Sequence, residues 1–187
     1  MFPYDAMQAT APAASGLETK FVALDKLEAG AEDGRISGYA SFFGQADQSG
    51  DVVERGAFAQ SLTRLAAAGR RVKFLWQHDP ATPIGVWTDV AEDAQGLRVT
   101  GEILPGVARG QDAIQLMRAG AIDGLSIGYR TLRASPSRET GGRLLTEIDL
   151  WEVSLVTFPL LPTARASLAP AQPASFEEAL AAALAEG

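Results

Sequence analysis

Glu147-Ile148-Asp149-Leu150-Trp151-Glu152-Val153-Ser154-Leu155-Val156-Thr157-Phe158-Pro159 alternates apolar and polar residues with a period of two. The spacing predicts a long strand from about Arg143 to Thr157, with Ile148, Leu150, Glu152, Ser154 and Val156 on one face. Glu147, Asp149, Trp151, Val153 and Leu155 fall on the other. Working outward, Ile122–Thr131 reads as another strand, centred on Gly124-Leu125-Ser126-Ile127-Gly128. Arg70–His78 also alternates, with Val72, Phe74, Trp76 and His78 pointing one way, and Pro80 and Pro83 closing it. Ile84–Val90 and Leu97–Leu104 read as a strand pair across the acidic turn Glu92–Gly96. Gly34–Phe43, with Ile36, Ala40 and Phe42 on one face, adds a further strand, and order begins near Phe21. Two helices interrupt the series. One carries Phe58, Leu62 and Leu65 on a stripe and stops at Gly69; the other runs Val107–Ala119, with Ile114 and Met117 inward and Gly120 at its end. About seven strands and two helices predict a mainly β (α+β) fold, a barrel with helices packed around it.

The 187 residues suit one domain with short tails, and 47% hydrophobic against 21% charged residues is a globular balance. Residues 1–18, rich in Ala, Pro, Ser and Thr, read as a flexible tail, 19–168 as the folded domain, and 169–187 as an Ala/Pro-rich tail. That last tail holds a short amphipathic helix from Ser175, with Phe176, Leu180 and Leu184 on one stripe. Sixteen Lys and Arg face 23 Asp and Glu, a net charge of −7, so a nucleic-acid or anionic-membrane partner is not expected. No apolar run is long enough to span a bilayer, and the first residues lack a secretory signal pattern.

Scarcity narrows the chemistry. With no cysteine, disulfides, thiolate nucleophiles and cysteine metal sites are excluded, and with one histidine, His78, no site can require two. No metal or cofactor is expected. Any imidazole base must be His78, and the same residue also suits a barrel rim, bonded to backbone. Ser126 sits in a Gly-x-Ser-x-Gly pattern, but an α/β-hydrolase needs its histidine after the serine, and here it comes 48 positions before. Two reasons for the flanking glycines stay open: room for a substrate at the Ser126 hydroxyl, or a tight sheet corner. The third member must be a carboxylate, with Glu147, Asp149 and Glu152 as candidates. Glu152 is favoured because it interrupts a largely apolar face, where a carboxylate needs a partner.

Five segments occur in order: Gly38-Tyr-Ala-Ser-Phe-Phe, Gly50-Asp-Val-Val-Glu-Arg-Gly-Ala-Phe, Phe74-Leu-Trp-Gln-His-Asp, Gly124-Leu-Ser-Ile-Gly-Tyr and Leu150-Trp-Glu-Val-Ser-Leu-Val-Thr-Phe-Pro. Together, over about residues 19–168, they resemble the prohead (capsid-maturation) serine proteases of tailed phages and phage-derived gene transfer agents. The resemblance implies a herpesvirus-assemblin-like β-barrel and a serine endopeptidase, with Ser126 as nucleophile and His78 as general base. Glu152, as the carboxylate that orients the imidazole, rests mainly on the face pattern. Backbone N–H groups near Arg165 are the oxyanion-hole site by analogy, while that arginine itself reads as a solvated surface charge. The implied substrates are the scaffolding segment of the major capsid protein and the enzyme's own tails, inside the prohead in the host bacterial cytoplasm, with oligomeric state left open. A non-catalytic capsid assembly or scaffolding protein that keeps the barrel is the alternative.

Overall fold

Residues Gly124–Pro136 and Arg143–Val156 form the longest ladder of the molecule, an antiparallel hairpin running from Gly124↔Val156 to Pro136↔Arg143. The structure, a computed structural model, describes residues 18–22 (as backbone), 34–158 and 166–168. The expected tails, including the helix from Ser175, lie outside these residues apart from Glu18. In chain order the elements are β1 (Glu18–Val22), β2 (Arg35–Phe42), β3 (Val52–Val53), α1 (Ala59–Ala67), β4 (Lys73–Trp76) and β5 (Asp79–Glu92). There follow β6 (Gly96–Ile103), α2 (Ala108–Arg118), β7 (Gly124–Pro136), β8 (Arg143–Val156) and β9 (Ala166–Leu168). The six strands expected from their period are present, and β1 lies where order was expected to begin, near Phe21. The additions, β3 and β9, are two and three residues long, too short to show a period.

The strands join as β1-β7-β8-β4-β5-β6-β2-β9, with β3 paired to β8. Most pairs are antiparallel, but β4 lies parallel to β8, wedged between it and β5. The sheet curls until β2 packs beside β1 and β7. No ladder closes that seam among the described residues. One backbone bond spans it, from the Ala166 N–H of β9 to the Asp123 carbonyl just before β7. Inside the curl lies one apolar core, in which Phe74 stacks on Trp87 at 4.0 Å and the Trp87 indole donates to the Val153 carbonyl at 3.2 Å.

Both helices lie where the stripes place them. Phe58 is fully buried at the start of α1, where its N–H donates to the Glu92 carboxylate at 2.8 Å, and Leu62 and Leu65 pack on the core. Ile114 and Met117 of α2 are buried. Gly69 and Gly120 follow the two helices with φ of 61° and 67°, the left-handed stop that favours glycine.

Three expectations need correction. Pro80 and Pro83 do not end a strand; both lie in the first turn-side residues of β5, where pairing with β4 is irregular and no ladder N–H is required of them. The strand expected over Arg70–His78 covers only Lys73–Trp76, because Gln77 and His78 adopt φ of 51° and 61°. Finally, β8 carries a bulge at Trp151, since Glu152 faces Gly128 while Leu150 faces the next residue, Tyr129. The extra residue shifts the alternation by one. Ile148, Leu150, Val153 and Leu155 therefore line the core together, and Glu152 and Ser154 share the opposite face.

Candidate active site

On that opposite face β7 and β8 set two registered pairs side by side, Ser126↔Ser154 and Gly128↔Glu152. Directly paired residues share a face, so Ser126, Ser154 and Glu152 converge while Leu125 and Ile127 point into the core. Ser126 and Ser154 are fully buried, and Glu152 is 3% exposed. The third strand is β4, where Leu75 lies beside Ser154 and Trp76 beside Leu155. Simple alternation from Phe74 and Trp76 would send His78 to the core face. The left-handed Gln77 and His78 turn the chain over, and the imidazole lands on the face of Ser126 instead. Backbone strain of this kind costs on the order of 1–3 kcal/mol per residue and persists where neighbours enforce it. Here the Gln77 N–H donates to the Leu155 carbonyl at 3.0 Å and its side-chain amide donates to Thr157 Oγ1 at 2.5 Å.

The result is a continuous relay. Ser126 Oγ lies 2.5 Å from His78 Nε2, and His78 Nδ1 lies 2.6 Å from Glu152 Oε1. An ionised carboxylate only accepts, so the ring proton sits on Nδ1 and Nε2 faces the serine hydroxyl as an acceptor. The imidazole is 19% exposed, which leaves an open side next to two buried partners. This geometry can draw a proton from Ser126 and hold the resulting imidazolium against a fixed negative charge.

Glycine at position 128 has a definite reason. A Cβ there would come within 2.0 Å of Glu152 Oε1, so the space beside Ser126 is occupied by the carboxylate. The other two carboxylates are not brought to the histidine. Asp149 accepts from the Trp151 indole at 2.8 Å and from Arg64 at 3.3 Å, and pairs with Arg130 at 3.5 Å. Burial pushes its carboxyl up, but these donors outweigh it and hold it below the ordinary value. Glu147 pairs with Arg133 at 3.5 Å and Arg64 at 3.9 Å. Asp79, next to His78 in sequence, is held low by the Thr82 hydroxyl and the Ala81 N–H of its own turn.

Ser154 is the member that sequence reading missed. Its hydroxyl donates to Glu152 Oε2 at 2.6 Å and accepts from the His78 N–H at 3.2 Å. The available signal was its i+2 spacing from Glu152 in a strand. Arg165, tied by analogy to an oxyanion hole, lies outside the described residues. Among the described residues no three His, Cys, Asp or Glu side chains converge as a metal site requires.

Sequence and fold comparisons agree with one another. The chain is 33% identical over 136 residues to the prohead protease of Enterobacteria phage HK97, an alignment covering 72% of this chain and 59% of that protein. It is 29% identical over 125 residues to the prohead protease of Escherichia phage T5, covering 67% and 58%. The chain thus spans about three-fifths of the length of the curated relatives it matches. Its fold is similar to that of the bacteriophage T4 capsid assembly protease, with a TM-score of 0.64 at 13% identity over 77% of this chain and 98% of that one. Residues 22–179 match the model of the caudovirus prohead serine proteases, and the chain belongs to that family.

Proposed function

We propose that this chain is a serine endopeptidase that cuts the scaffolding segment of a major capsid protein during prohead maturation. The observation that carries this reading is the relay from Ser126 Oγ through the imidazole to Glu152, at 2.5 and 2.6 Å. In the first step Ser126 Oγ bonds to the scissile carbonyl carbon as its proton passes to His78 Nε2. Glu152 keeps the Nδ1 tautomer and stabilises the imidazolium without taking its proton. The imidazolium then protonates the leaving amine as the C–N bond breaks, giving an acyl-enzyme. Water, deprotonated by the same nitrogen, releases the carboxylate product and restores the Ser126 hydroxyl. Residues 19–168 form the catalytic unit in this reading, and the segments 1–18 and 169–187 are sites of self-cleavage. The enzyme works inside the prohead, within the host bacterial cytoplasm.

A fluorophosphonate probe on the full chain should label Ser126 and leave Ser126→Ala unlabelled. Co-expression with the capsid protein, followed by mass spectrometry of termini, should reveal new capsid and protease ends that vanish in Ser126→Ala. Assembled particles with neither labelling nor new termini would overturn the peptidase reading in favour of an assembly protein.

A further inference from the structure

We propose that Ser154 is a positioning residue of the site, fixing both the backbone of His78 and the carboxylate of Glu152 through one hydroxyl. This rests on the peptidase reading above. Three residues form a closed ring of hydrogen bonds. The His78 N–H donates to Ser154 Oγ at 3.2 Å, the Ser154 hydroxyl donates to Glu152 Oε2 at 2.6 Å, and Glu152 Oε1 accepts from His78 Nδ1 at 2.6 Å. The ring ties the imidazole at both ends. Its side chain is held by one carboxylate oxygen, and the left-handed main chain at φ 61° is held through the other. Ser154 is fully buried and Glu152 nearly so, so water is poorly placed to replace the hydroxyl.

The ring also fixes how the carboxylate is turned. Ser154 gives Glu152 Oε2 a donor of its own, which leaves Oε1 to face His78 Nδ1. Without that hydroxyl the carboxylate is free to rotate away from the imidazole, and the backbone of His78 loses its side-chain acceptor.

Because His78 is the only histidine in 187 residues, its ring C–H resonances identify it without further assignment. The His78 ring resonances of the full chain and the rate of fluorophosphonate labelling, both at one fixed pH, are therefore measured on wild type, Ser154→Ala and Ser154→Thr. Ser154→Ala is expected to move the His78 ring C–H resonances away from their wild-type positions and slow labelling about tenfold. Ser154→Thr, which keeps the hydroxyl, should restore both. If Ser154→Ala does not fold, Ser154→Cys, filling the same site with a weak donor, is read the same way. Slower labelling with unmoved His78 resonances would mean a packing role only and overturn the proposal, as would no change in either. An unlabelled wild type would overturn the peptidase reading and this role with it; a labelled wild type indifferent to Ser154→Ala would overturn this role alone.

Discussion

Gly128 stands against the Glu152 carboxylate so closely that one methyl group separates a working relay from a displaced one. In Gly128→Ala the new Cβ meets Glu152 Oε1, the far end of a flexible side chain, so the chain should still fold while the carboxylate swings off Nδ1. Labelling of Ser126 should fall on the order of 10²-fold, with melting temperature changed little. Glu152→Gln removes the charge but not the shape, and peptide cleavage should drop by roughly 10³- to 10⁴-fold. Asp149→Asn is the contrasting case. It should leave labelling within about twofold, since it touches only Trp151, Arg64 and Arg130. Its effect is on stability: a carboxyl held below its ordinary value stabilises the fold above the unfolded value near 4, and that stabilisation, up to about 1 kcal/mol, is lost as pH falls through the lowered one. Denaturant titrations of wild type and variant at pH 7 and pH 3 should show the gap narrowing in acid. Ser126 and His78 were legible in the sequence because the chain offers a single histidine and one glycine-flanked serine of this kind. Glu152 was reached on a miscounted face. Alternation assumes an unbroken strand, and neither the bulge at Trp151 nor the left-handed Gln77 and His78 announces itself in residue type. Ser154 lay on the same expected face as Glu152, but a strand serine shows no role until the fold sets it against the backbone of His78.

At the far end of β8 from the site, a polar clasp joins the 44–51 loop to the β7–β8 turn. Buried Asp51 accepts from the Arg143 N–H at 2.8 Å and from its guanidinium Nη2 at 2.5 Å, while Asp47 Oδ1 accepts from the N–H groups of Ser49 and Asp51 at 2.9 and 3.0 Å. Gly50, at φ 82°, abuts Thr140 and Gly142 so closely that a Cβ would clash with backbone. Asp51→Ala leaves Arg143 without this carboxylate, and since that side chain is 42% exposed the loss should be about 1–3 kcal/mol, read by denaturant titration. Labelling of Ser126 should persist, because Arg143 lies nine residue steps along the strand from Glu152, roughly 30 Å. The Gly-Asp-Val-Val motif at 50–53 thus has a structural reason that its sequence alone did not supply. Helices were the most legible elements. The second was expected over Val107–Ala119 and spans Ala108–Arg118, because stripe and terminal glycine agree. Strand ends were the least legible, as at β5, where two prolines sit inside the strand.

The order in which strands join is a property of the folded chain that no local pattern encodes: nothing in Lys73–Trp76 says that it lies parallel to β8 rather than only against β5. The same holds for the seam, where three residues of β9 pair with β2 and reach Asp123. Leu168→Asp should expose how much this short strand matters. It puts a charge at a buried position, and the expected loss is roughly 3 kcal/mol, measured as a lower denaturation midpoint. The parallel placement of β4 also bears on the timing of synthesis. A ribosome delivers His78 first, Ser126 next and the Glu152–Ser154 pair last, and at about 5–20 residues per second the interval is several seconds. During that interval the nascent chain holds an imidazole and a hydroxyl but no strand on which to seat β4 beside β7. A chain released early by a stop codon or a nick before residue 152 would carry the imidazole and the hydroxyl without the strand and carboxylate that join them in the proposed relay, and Ser126 in it should resist fluorophosphonate labelling.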